Sequence, residues 1–136
     1  MLTIIIVGAY ALAAQGYPRN TLDIDIWINP TKENSLKVYE ALAQFGAPLH
    51  DINVNTFIDK GIVFQIGVAP RRIDIITEIS GDIEFEEAKT RSIQIDMEGV
   101  SLSILSIEDL IKNKVSIGRP KDIVDVRNLK KHLEKS

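Results

Sequence analysis

The sequence contains no cysteine, which excludes disulfides, thiol nucleophiles and thiolate sites for zinc or iron–sulfur clusters. Histidine is scarce too. His50 and His132 are the two imidazoles and stand far apart along the chain, too few for a multi-histidine metal centre and poorly placed for a Ser-His-Asp triad. No apolar run reaches the ~18 residues that span a bilayer, and the apolar start Met1 to Val7 lacks the basic leader of a signal peptide. The protein is therefore read as cytoplasmic, with no membrane partner. An excess of positive charge is also missing: the net charge is −3, which argues against a broad nucleic-acid-binding surface. With thiolates absent and imidazoles few, any metal would be held mainly by carboxylates, which favours Mg²⁺, Mn²⁺ or Ca²⁺.

What remains is ordinary globular material: 136 residues, 45% hydrophobic and 26% charged, enough for one core and too little for two. The charge is uneven. Residues 106–136 carry eight Lys/Arg and five Asp/Glu, whereas residues 1–105 carry eight and fourteen. An acidic body joined to a basic tail can hold a cation in one part and an anion in the other.

Leu2 to Val7 reads as a buried strand, ended by Gly8, and Ala9 to Gln15 as a short helix. Asp23 to Ile28 alternates as a strand. Thr31 is placed to cap a helix running to Phe45, with Leu36, Tyr39, Leu42 and Ala43 at helical spacing and Gly46 closing it. Residues 47–60 read as an exposed loop. Ile62 to Val68 and Arg72 to Thr77 form an expected antiparallel hairpin, Glu84 to Lys89 a short helix, and Ser92 to Asp96 with Val100 to Leu105 a second hairpin. Ser106 and Asp109 resemble a capping box, Gly118 breaks the helix they start, and Pro120 opens a last one. Trp27 and Phe45 are expected in the core. The expected fold is α/β (α+β): one domain over 1–136, with a mixed-sheet core over 1–105 and C-terminal helices over 106–136.

The segment Asp23-Ile24-Asp25-Ile26-Trp27-Ile28 is the most informative. Side chains two apart on a strand share a face, so Asp23 and Asp25 stand roughly 6–7 Å apart at Cα. Acids are depleted in strands. A solvated outer face is one explanation, but Thr, Lys or Arg would serve it better, whereas a divalent cation turns the mutual repulsion of two carboxylates into a binding site. Asp74, between Ile73 and Ile75 of a later strand, is by itself an ordinary solvent-face residue; beside Asp23 and Asp25 it is the third carboxylate that a two-metal site needs. Val7-Gly8-Ala9-Tyr10 places a glycine between a buried strand and a helix, where backbone N–H groups can meet a phosphate or simply make a tight turn. Arg19 precedes the acidic strand, either reaching a phosphate or lying in solvent. Lys112, Lys114, Arg119 and Lys121 surround the helix break. Asp122 and Asp125, three apart on one helix face, are expected to pair with nearby Lys or Arg rather than with metal. His50 is assigned no role.

Together, strand–Gly8–helix, Asp23-x-Asp25 and Asp74 resemble the nucleotidyltransferase fold of the DNA polymerase beta-like superfamily. The segments VGAYALAAQGYPRNTLDIDIWI, QIGVAPRRIDIIT, FEEAKTR and SIEDLIKNKVSIGRPKDIVDV resemble, more closely, a bacterial family of small stand-alone nucleotidyltransferase-like proteins related to the toxins of abortive-infection systems. The resemblance implies transfer of a nucleoside monophosphate from a nucleoside triphosphate to an acceptor hydroxyl, with release of pyrophosphate. Asp23, Asp25 and Asp74 would hold two Mg²⁺ or Mn²⁺ ions, and Gly8, Ala9, Arg19 and Lys114 would bind the triphosphate. The acceptor implied is an RNA end, a protein hydroxyl or a small molecule. Two features depart from the superfamily pattern: its Gly-Gly or Gly-Ser turn reads Gly8-Ala9 here, and relatives usually carry a helix before the first strand, which implies either a truncated start or a surface left for another subunit. These favour the alternative, a catalytically weak module that binds a protein partner in a toxin–antitoxin-type system. Retention of all three acids favours the enzyme.

Overall fold

A computed structural model describes residues 2–16, 23–68 and 71–135. The elements are β1 (Ile4–Val7), α1 (Gly8–Ala14), β2 (Asp23–Ile28), α2 (Lys32–Phe45), a 3₁₀ turn (Thr56–Ile58), β3 (Val63–Val68), β4 (Arg71–Ile76), α3 (Phe85–Arg91), β5 (Ile93–Met97), β6 (Val100–Ile104), α4 (Ile107–Ile117) and α5 (Pro120–Lys135). The six strands form one mixed sheet in the order β3-β4-β2-β1-β6-β5, flanked by helices. The hairpins β3–β4 and β5–β6 are antiparallel, as is β1–β2, while β2–β4 and β1–β6 run parallel. Among the described residues no helix is long and apolar enough to cross a membrane.

Two apolar clusters hold the sheet. One joins Ile5, Val7 and Trp27 to Phe85, Ala88, Leu110 and Leu129, with the Trp27 and Phe85 rings edge to face at 5.0 Å. The other joins Ile28 and Ile75 to Val38, Leu42 and Phe57. Asp23, Asp25 and Trp27 share a strand face by period, so one face of β2 passes from polar side chains at Asp23 to core at Trp27.

Thr31 caps α2, its hydroxyl accepting from the Asn34 N–H, and Gly46 ends the helix in the left-handed conformation. Ser106 caps α4 in the same way, accepting from the Asp109 N–H at 3.2 Å. The return bond of a capping box is replaced: the Asp109 carboxylate accepts from Arg91 Nε and Nη2 at 2.9 and 3.0 Å, joining α4 to α3.

Three expectations are corrected. Leu36 and Ala43 are exposed, and Asn34, Ser35, Val38 and Leu42 form the buried face of α2. The polar pair is buried because Asn34 is bonded to the backbone of Thr3 and Asn29 and Ser35 to Val54 and Phe57. Phe45, at the end of α2, is 66% exposed and not core. Residues 47–60 are not a wholly exposed loop. The Ser35 hydroxyl donates to the Val54 carbonyl at 2.8 Å and accepts from the Phe57 N–H at 3.0 Å, which pins this segment to α2 and buries Phe57 completely.

Candidate active site

The acidic cluster is assembled by strand register. In the parallel β2–β4 pair, Asp25 lies opposite Asp74 and Asp23 opposite Arg72. All four side chains line one cavity of about 470 Å³, together with Gly8 and Ala9 from the β1–α1 turn. Asp74 is nearly buried, with a side chain 12% exposed, whereas Asp23 is open at 43%. Gly8 adopts φ +72°, and a Cβ at this position would collide with Asp25 Oδ2. The glycine thus serves two needs: a left-handed turn and room for the carboxylate leaning over it.

Burial pushes the Asp25 carboxyl above its ordinary range. The negative charges of Asp74 and Asp23 push it further, Arg72 pulls it back, and a hydrogen bond to Asp74, which Asp25 can donate only when protonated, adds to the rise. Crowded carboxylates of this kind attract a cation. Arg72 supplies part of that charge: its Nε lies 3.0 Å from Asp74 Oδ1 and its Nη2 3.9 Å from Asp23 Oδ2. Among the described residues no three Asp, Glu or His side chains already form a closed metal cage. The donors are nevertheless all carboxylate oxygens, the ligand type that suits Mg²⁺ and Mn²⁺, so the residues fit such an ion chemically.

The basic tail forms another wall of the cavity, through Lys114, Arg119 and Lys121. Lys114 is buried between two carboxylates, at 3.0 Å from Asp125 Oδ2 and 3.4 Å from Asp122 Oδ1. Asp122, fully buried, also accepts from Arg119 Nε at 2.7 Å and from the Arg119 backbone N–H at 3.1 Å. Its carboxyl is held below the ordinary range, first by the Arg119 side-chain hydrogen bond, against the opposing effect of burial. Gly118, left-handed at φ +70°, sets the bend between α4 and α5 that brings these groups together. Arg19 lies outside the described residues. His50 is exposed beside Asp51, away from the cavity lining. Arg72 was not singled out from the sequence, although its place two residues before Asp74 puts it on the same strand face.

Comparison with known proteins gives the class. Residues 1–133 match the family described as "Nucleotidyltransferase of unknown function (DUF6036)", and the chain belongs to that family. A crystal structure of a candidate nucleotidyltransferase from Thermotoga maritima (TM1012) shares the fold: TM-score 0.61 at 14% identity, covering 99% of this chain and 84% of that one. No protein of curated function matches the sequence.

Proposed function

We propose that the protein is a metal-dependent nucleotidyltransferase that moves a nucleoside monophosphate from a nucleoside triphosphate to an acceptor hydroxyl. The observation that carries this reading is the cavity itself, where carboxylates from two parallel strands face a glycine turn and a basic wall. Asp23, Asp25 and Asp74 would hold Mg²⁺ or Mn²⁺. When bound, such ions offset the negative charge of the triphosphate and favour the ionised acceptor oxygen.

The chain's own groups do the rest. The backbone N–H groups at Gly8 and Ala9 bind phosphate oxygens, and Arg119 and Lys121 offer positive charge to the pyrophosphate end. Lys114, fixed by Asp122 and Asp125, contributes charge from a set position. The acceptor oxygen attacks the α-phosphorus, the bond from that phosphorus to the α,β-bridging oxygen breaks, and pyrophosphate leaves with the electron pair. The hydroxyl proton passes to the Asp74 carboxylate. The negative surface charge suits one RNA end, protein hydroxyl or small molecule entering the cleft better than a long nucleic acid.

The test is incubation with Mg²⁺, whole-cell RNA or protein, and triphosphates labelled on either the α- or the γ-phosphate. Label should pass from the α-position only, and Asp25→Asn and Asp74→Asn should lower transfer at least a hundredfold. Transfer from the γ-position, or equal transfer by both variants, would refute the reading.

A further inference from the structure

Resting on the metal reading above, we propose that Arg72 is a resident counter-ion of the acidic cluster, one that a divalent ion must displace from Asp23. The strand period places Arg72 and Asp74 on one face, and the parallel register sets Arg72 opposite Asp23. A single guanidinium thus spans both carboxylates. Its inner nitrogen, Nε, is buried 3.0 Å from Asp74 Oδ1, while its outer nitrogen, Nη2, lies 3.9 Å from Asp23 Oδ2.

The two ends of this contact differ in strength. The Asp74 end is shielded from water, where the charge pair is screened least, although Nε and Oδ1 make no hydrogen bond there. At the Asp23 end, both side chains are more than a third exposed, the distance is long and solvent screens the pair. Of the two contacts that Arg72 makes, the one to Asp23 is therefore the one that an incoming ion can break at the smaller cost. The same arrangement explains why three acids on adjacent strands do not form a ready cage: a cation built into the chain already lies between two of them. Arg72 acts on the site through Asp74 and Asp23, as a positioning residue and as a competitor of the ion.

The competition has a readable size. A dication and a guanidinium about 6 Å apart repel even in water by enough to change affinity on the order of tenfold. We would titrate Mn²⁺ into wild type, Arg72→Gln and Arg72→Lys, following free Mn²⁺ by electron paramagnetic resonance without triphosphate. Arg72→Gln should bind Mn²⁺ about tenfold more tightly, and Arg72→Lys, which keeps the charge, should stay near wild type. Equal or weaker binding by Arg72→Gln would overturn the displacement alone. Silence of both wild type and Arg72→Gln would overturn it together with the metal reading. Should Arg72→Gln fail to fold, Arg72→Met keeps the apolar stem and answers the same question.

A second arm needs no ion. In EDTA, Arg72→Gln should lower the melting temperature, and the loss should shrink when Asp74 is already Asn. Fully additive losses would show that Arg72 and Asp74 are not coupled, and would overturn the counter-ion role.

Discussion

Gly8 carries more than a turn. Because its missing Cβ leaves room for Asp25 Oδ2 and its φ is positive, Gly8→Ala should lower stability by about 1–2 kcal/mol through backbone strain and weaken Mn²⁺ binding by displacing Asp25. Urea denaturation and a Mn²⁺ titration check the two effects separately; full Mn²⁺ affinity in the variant would contradict the close packing. The shared face of Asp23 and Asp25 was legible from the strand period alone; that Asp74 joins them was expected from the acidic pair and the family resemblance, and its place opposite Asp25 follows from the β2–β4 register. The Gly8–Asp25 packing was not, since it depends on the β1–β2 register, in which Val7 lies opposite Asp25. Arg72 was within reach of the same period rule. Its pairing across to Asp23 follows only once β2 and β4 are known to be parallel neighbours.

At the scale of elements, the α4–α5 junction is a small ionic core. Asp122 sits fully buried between Arg119 and Lys114. Its carboxyl is held below the ordinary range mainly by the Arg119 hydrogen bond, so the folded state binds the proton less readily than the unfolded chain does. That stabilisation is complete above the unfolded carboxylate value near 4 and is lost as pH falls through the lower folded value. Asp122→Asn should cost about 2 kcal/mol at pH 7. The gap to wild type should stay constant from pH 8 to 5 and close in stronger acid, as read from urea denaturation at each pH. A gap that widens in acid would contradict the assignment.

The pairing of Asp122 and Asp125 with basic neighbours was visible from helical spacing and local charge. The burial of Lys114 was not, because it arises from the bend at Gly118. The errors in α2 have a similar origin. Apolar spacing put Leu36 and Ala43 in one stripe with Leu42, and Phe45 was expected in the core, whereas tertiary contacts selected Asn34 and Ser35 by satisfying their hydrogen bonds.

Across the whole molecule, the sheet order brings an acidic pair of neighbouring strands and a basic helical tail to one cavity, an arrangement that suits a metal-bound triphosphate. The fold class could be read from the strand and helix pattern with the family resemblance, but the strand order could not, since β1–β6 pairing joins residues about a hundred positions apart. The decisive measurement of the proposed triphosphate site is calorimetric titration of Mg²⁺-loaded nucleoside triphosphates into wild type, Ala9→Ser and the double variant Asp23→Asn/Asp25→Asn. Wild type should bind measurably. Ala9→Ser should bind more tightly, because its hydroxyl adds a hydrogen bond to a charged oxygen worth about 1.5–3 kcal/mol, and the double variant should lose binding with the fold retained. Equal affinity in all three proteins, or none in wild type, would rule out a triphosphate site in this cavity.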